Sequence, residues 1–239
     1  ISDALISRIL RLNVIIIYTV LALMSCWTLP ISWDLALIPI YGILIVLVPG
    51  LIGWAFFIRK YHSPLDRGAY LANAMMSNIT TLGGVCAYIL YGEQGFAYAQ
   101  IMGIFQTLLL VLAVFPMAQY YYLQHKNHGR GGKIHIRFAD IFLSWNQLSI
   151  LGMAAGLALN AAGIERPPAV GTAFEGLIHF GAWFGMLPVG ALINLHRARR
   201  YAPYTLDLFA LRFLILPAFM MAVSYPFVRD PVLLGAILV

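Results

Sequence analysis

Residues 77–95 read SNITTLGGVCAYILYGEQG, and the fold turns on how this stretch is understood. Its neighbours are apolar enough to cross a bilayer, yet here Ser77, Asn78, Thr80 and Thr81 run into the glycine pair Gly83-Gly84. At 100° per residue, Asn73, Ser77, Thr80, Thr81 and Gly84 share one face about 100° wide, because they follow the spacing i, i+4, i+7, i+8, i+11. Small and hydroxylated residues on one face let helices approach closely and bond across the contact. The other reading is a helix that opens. Each mid-span glycine costs about 1 kcal/mol of helix propensity, and opened backbone persists in hydrocarbon only where protein buries it or it lines a wet cavity. Asn78 stands just before the pair.

The rest of the chain supplies the membrane. Of 239 residues, 62% are hydrophobic and 10% charged, with a mean hydropathy of +0.84, whereas soluble domains carry about 25% charged residues. A span needs about 20 apolar residues. Such stretches are expected at about 9–30, 36–58, 70–91, 96–122, 140–163, 171–194 and 204–227, with the start of another at 232–239. None shows the alternation of a transmembrane barrel strand, so the expected fold is an all-α polytopic membrane protein. The opening ISDALISRILRLN has no initiating Met, and the last span is cut short, so both ends read as truncated.

Charge placement gives an orientation. Arg8, Arg11, Arg59, Lys60, Arg67, Lys126, Arg130, Lys133, Arg137, Arg197, Arg199 and Arg200 fall on alternate loops, leaving Arg166 and Arg229 opposite and Arg212 inside a span. This positive-inside asymmetry puts residue 1 and the basic loops in the cytoplasm of a cell-membrane protein. It also accounts for the net charge of +6 without a nucleic-acid partner. His125, His128 and His135 on the basic connector lack the Cys or carboxylate company of a metal site, so no metal is expected. Cys26 and Cys86 lie within spans, where cysteine behaves as a small apolar residue.

Titratable and polar groups within spans are the remaining candidates. Glu175 and His179 are one turn apart, with His179 about 12 Å into its span. They read either as a proton-coupling pair or as an interfacial carboxylate above a hydrogen-bonded imidazole. Arg212, about 12 Å from the cytoplasmic start of its span, reads as snorkelling, with an anion contact as the alternative. Asn146 and Gln147 place amides near a cytoplasmic end, either lining a cavity or bonding between helices. No Gly-x-Ser-x-Gly elbow, HExxH or paired in-span histidines are present, which argues against an enzyme or a haem anchor.

The segment ANAMMSNITTLGGVCAYILYGEQGFAYAQIMGIFQTLLL resembles the auxin efflux carrier family of the BART superfamily. That family's corresponding helix carries an Asn, a Gly-Leu-Pro break and a Tyr-Gly-Glu loop. LSILGMAAGLALNAAGIERPPAV and AWFGMLPVGALI are similar to its next Gly-rich and Pro-containing helices. The resemblance implies an inverted-repeat carrier with a scaffold unit, here 1–30 and 140–194, and a transport unit, here 36–122 and 204–239, containing crossed broken helices. It implies a small organic anion as substrate, an elevator-like alternation, coupling to H+ or Na+, and no other cofactor. A homodimer through the scaffold spans would fit the same picture. Asn78, Thr80, Thr81, Gly83 and Gly84 would form the substrate or ion site, with Ser77, Asn146, Gln147, Glu175 and His179 lining it or coupling to it. Gly84 and Val85 replace the family's Leu-Pro, and without Pro every N–H at the break can still donate. A non-transporting sensor or anchor that kept the fold is the alternative.

Overall fold

The computed structural model describes residues 3–30, 33–126, 148–192 and 205–239. Among these, helix is the only regular structure, in the order α1 (3–27), α2 (33–60), α3 (Pro64–Met75), α4 (79–91), α5 (93–126), α6 (Leu148–Ala161), α7 (Pro168–Leu192), α8 (205–224) and α9 (Pro231–Leu238). Three helical runs, Trp33–Lys60, Pro64–Gln106 and Thr205–Ser224, are long and apolar enough to cross a membrane. The second of these is not one rod, since it is interrupted between α3 and α4 and turns back at Gly92.

Local chemistry explains the boundaries. Pro64 and Pro231 each sit in the first turn, behind Ser63 and Asp230, whose side chains accept from Leu65 N and Val232 N. Proline suits that place because its missing N–H would have no helical partner there. Gly92 at φ 67° and Gly163 at φ 68° take positive-φ conformations that glycine adopts without a Cβ clash, and these end α4 and α6. Wide π turns at Leu110–Val114 and Leu211–Ile215 lie just before or around the residues that Pro116 and Pro217 leave without an N–H donor.

From Gly92 the chain folds back, and α4 and α5 form an antiparallel hairpin. Ser77 meets Gln106, Thr80 meets Gln100 and Gly103, and Gly84 meets Phe96 and Gln100. Elsewhere, α6 presses Gly152 and Gly156 onto backbone carbonyls of α1, those of Thr19 and Leu23, where any side chain would collide. The Asn13 amide on α1 donates to Gly181 O of α7 at 3.1 Å. The largest buried cluster includes Tyr41 of α2, Tyr98 and Met102 of α5, Met220 of α8 and Leu233 of α9. The start of α9 is pinned at Asp230, which accepts from Tyr98 OH (2.5 Å) and Gln94 Nε2 (2.9 Å) while its N–H donates to Asp34 (3.1 Å).

The stretch expected as a single span at 70–91 is thus two helices, the first of which starts earlier, at Pro64. Asn146 and Gln147, with His128 and His135, lie outside the described residues.

Candidate functional site: an interrupted helix at a cavity

The amide of Met76 still bonds back to Ala72 O at 2.9 Å, but Met76 itself is extended (φ −83°, ψ 130°) and α3 stops there. Asn78 (φ −96°, ψ 62°) caps the next helix. Its carboxamide oxygen accepts the Leu82 N–H at 3.4 Å and the Thr81 hydroxyl, and its own carbonyl takes Gly83 N at 2.9 Å. Asn is a favoured capping residue because its short side chain replaces the missing preceding turn. The link Met76–Ser77–Asn78 therefore separates a carbonyl end, with partial negative charge, from an N–H end, with partial positive charge.

Both ends are held from outside. Arg212 Nη2 of α8 donates to Asn73 O (3.3 Å) and to Met76 O, and so caps the carbonyl end of α3. Gln106 Nε2 donates to Ser77 O at 2.5 Å and Ser77 Oγ at 3.3 Å, and Gln100 Nε2 donates to Thr80 O at 2.7 Å. Gln100 and Gln106 are 2% and 7% exposed, so these amides have no water to fall back on.

The link opens on a cavity of about 490 Å³. Its polar wall is Asn73, Ser77, Asn78 and Arg212, with Cys86 beside them, while α8 and α9 contribute apolar residues such as Leu216, Met220 and Ile237. Of the residues expected from sequence, Ser77, Asn78 and Gly83 line this space. Thr80 and Thr81 face other work, Thr80 against Gly103 and Thr81 on Asn78. Glu175 and His179 are exposed on α7, with the His179 ring 6.1 Å from that of Tyr88, and neither lines the cavity.

One expectation is corrected. Gly83-Gly84 does not open: Gly83 closes a π turn and Gly84 is helical (φ −60°, ψ −43°). A Cβ on Gly84 would sit 3.1 Å from Gln100 Nε2 and 3.2 Å from Phe96 Cε2, so the small residue serves the hairpin contact. The interruption lies a turn or more earlier, at Met76–Asn78. Arg212 also departs from the snorkelling reading, because its guanidinium reaches across to α3. Gln100 and Gln106 escaped the sequence reading, and their only signal was two amides in the otherwise apolar run AYAQIMGIFQTLLL.

No family model, curated protein or solved structure matches the chain.

Proposed function

We propose that the chain is a multi-pass secondary carrier of the auxin efflux carrier type, moving a small organic anion by alternating access. The observation that carries this reading is the interruption at Met76–Asn78, open to a cavity of about 490 Å³ lined by α3, α4, α8 and α9, with Ile45 of α2 and Ala99 of α5. Loose backbone at membrane depth is costly unless it handles cargo or is sealed by protein. Here Gln106 and Arg212, from other helices, satisfy the carbonyls of Ser77 and Met76, while Ser77 and Asn78 still line the cavity. Large apolar side chains on the outer surface, among them Phe56, Ile89, Trp183 and Phe209, support immersion in lipid. The basic loops then face the cytoplasm, with 1–30 and 140–194 as scaffold and 36–122 and 204–239 as the moving unit.

Asn78 has the central role in this reading. Its oxygen is committed to capping α4, so its NH2 is the group offered to an anion at the N–H end of a helix, where negative charge is stabilised. Purified protein in proteoliposomes should exchange labelled organic anion, and Asn78→Ala should abolish exchange while the protein still inserts and elutes as a single species. Unaltered exchange by Asn78→Ala removes that residue from the site. Ligand binding with no flux would instead identify a sensor that kept the carrier fold.

A further inference from the structure

Resting on that reading, we infer that the interruption takes an anion and refuses a cation, with Arg212 as the residue that reads the ligand's charge. A broken helix offers two kinds of site. Its carbonyl end suits Na+ or another hard cation, and its N–H end suits a carboxylate. Here the carbonyl end is already occupied by a fixed positive charge, since Arg212 donates to Asn73 O and Met76 O. A cation entering the link would lose those carbonyls to the guanidinium and meet like charge at close range.

The same guanidinium completes an anion site. Both bonds use Nη2, so Nε and Nη1 make no hydrogen bond among the described residues, and no carboxylate there pairs with Arg212. The neighbouring acid on α8, Asp207, is engaged by Lys60 at 2.7 Å. An arginine lining a largely apolar cavity without a counter-ion is a poor arrangement for stability alone. It becomes a good one when a carboxylate docks on the fork that guanidinium offers to planar anions. Arg212 and Asn78 line the same cavity, so a carboxylate held on the Arg212 fork shares that space with the Asn78 amide and with the apolar Leu216, Met220 and Ile237. Among the described residues Ser77 carries the only hydroxyl on that wall, and its oxygen already accepts from Gln106.

Cys86 provides a readout that does not depend on transport. It lines the cavity and is half-buried, whereas Cys26, the other cysteine, is fully buried. The rate of Cys86 alkylation by N-ethylmaleimide is measured on the full chain in nanodiscs with benzoate, hexanoate, neutral benzamide, or sodium against choline chloride. Benzoate and hexanoate should slow alkylation; benzamide and sodium should not. Arg212→Gln should weaken carboxylate protection by about tenfold or more, and Arg212→Lys should retain part of it. Should Arg212→Gln fail to fold, as judged by exposure of Cys26 to the reagent, the Arg212→Lys titration and the benzoate–benzamide comparison decide the matter. Protection by sodium, equal protection by benzamide, no protection by either carboxylate, or carboxylate protection that survives Arg212→Gln overturns the inference. Carboxylate protection without proteoliposome exchange leaves Arg212 in place and overturns only the carrier reading.

Discussion

Replacing Gln106 by Leu tests whether the interruption is held open by its neighbours. The change is close to volume-conserving and leaves the apolar environment of α5 intact, so packing is little disturbed. It deletes the donor that reaches Ser77 O at 2.5 Å and Ser77 Oγ at 3.3 Å. Ser77 lies outside both helices, so no helical N–H stands ready to replace that donor. Leaving a buried carbonyl without a partner costs about 1–3 kcal/mol, and removing the amide's own desolvation offsets part of this. A local cost of about 1–2 kcal/mol corresponds to amide exchange roughly 5- to 30-fold faster in the affected segment. Hydrogen–deuterium exchange on peptides covering 76–83, which hold the bonded amides of Met76, Leu82 and Gly83, should show that acceleration, while peptides from α6 stay unchanged. An unaltered rate at 76–83, or an equal acceleration in α6, would refute the claim that Gln106 stabilises the link locally.

Two further outcomes follow from the contacts. Arg166 grips Glu93 with both terminal nitrogens (2.6 and 3.2 Å), and Nη1 also reaches Met24 O at 3.1 Å; the side chains are 14% and 24% exposed. A double-mutant cycle with Arg166→Gln and Glu93→Gln, read by chemical denaturation in micelles, should give a coupling of about 1–2 kcal/mol, above the 0–1 kcal/mol of an exposed pair; a coupling near zero would show that the pair is only decorative. In α6, a side chain at Gly156 would run into Leu23 O and sit 3.1 Å from Cys26 Cβ, so Gly156→Leu should destabilise by at least about 2 kcal/mol and make Cys26 reactive to maleimide, whereas the exposed Gly176, with nothing near its Cβ position, should accept Ala without that effect.

Much of this arrangement was open to a reader of the sequence, and the part that was not has a physical cause. Helical structure follows from long apolar runs that lack strand alternation, and an irregularity near residues 77–84 follows from polar residues among them. The position of the interruption did not follow, because glycine has two uses that composition cannot separate. It can loosen a helix or let another helix come close, and Gly84 does the second. Asn78 is a capping residue in a place where nothing local announces a helix start, since α3 ends without Gly or Pro at Met76. The partners Gln100, Gln106 and Arg212 lie 20 to 139 residues away from the groups they bond. Contacts at that separation are set by tertiary packing, and no spacing rule along the chain predicts them.

The hydrogen bonds at the interruption also decide which helices can move together. Ser77 and Thr80 are tied to α5, Met76 to α8, and Asp230 at the start of α9 to α5, while Lys60 binds α2 to α8. On the other side, Asn13 joins α1 to α7, Asn160 donates to Cys26 O and Leu29 O, and Trp27 donates to Ile164 O. Of the side-chain hydrogen bonds described above, only those between Arg166 and Glu93 run from one set to the other. Apolar and ring contacts such as Phe96 with Phe174 can slide, since dispersion has no fixed direction, but a two-point guanidinium–carboxylate bond fixes both distance and angle. If the helices around the cavity shift as a body relative to α1, α6 and α7, the peptide groups at 76–78 keep their partners throughout, and among the described residues the ion pair beside Gly92 is the side-chain bond that must break. Restraining that pair should therefore slow any such shift without disturbing the cavity. Weakening it with Glu93→Gln should raise the rate of anion exchange while leaving carboxylate protection of Cys86 unchanged, and equal loss of both would place Glu93 in the binding site instead.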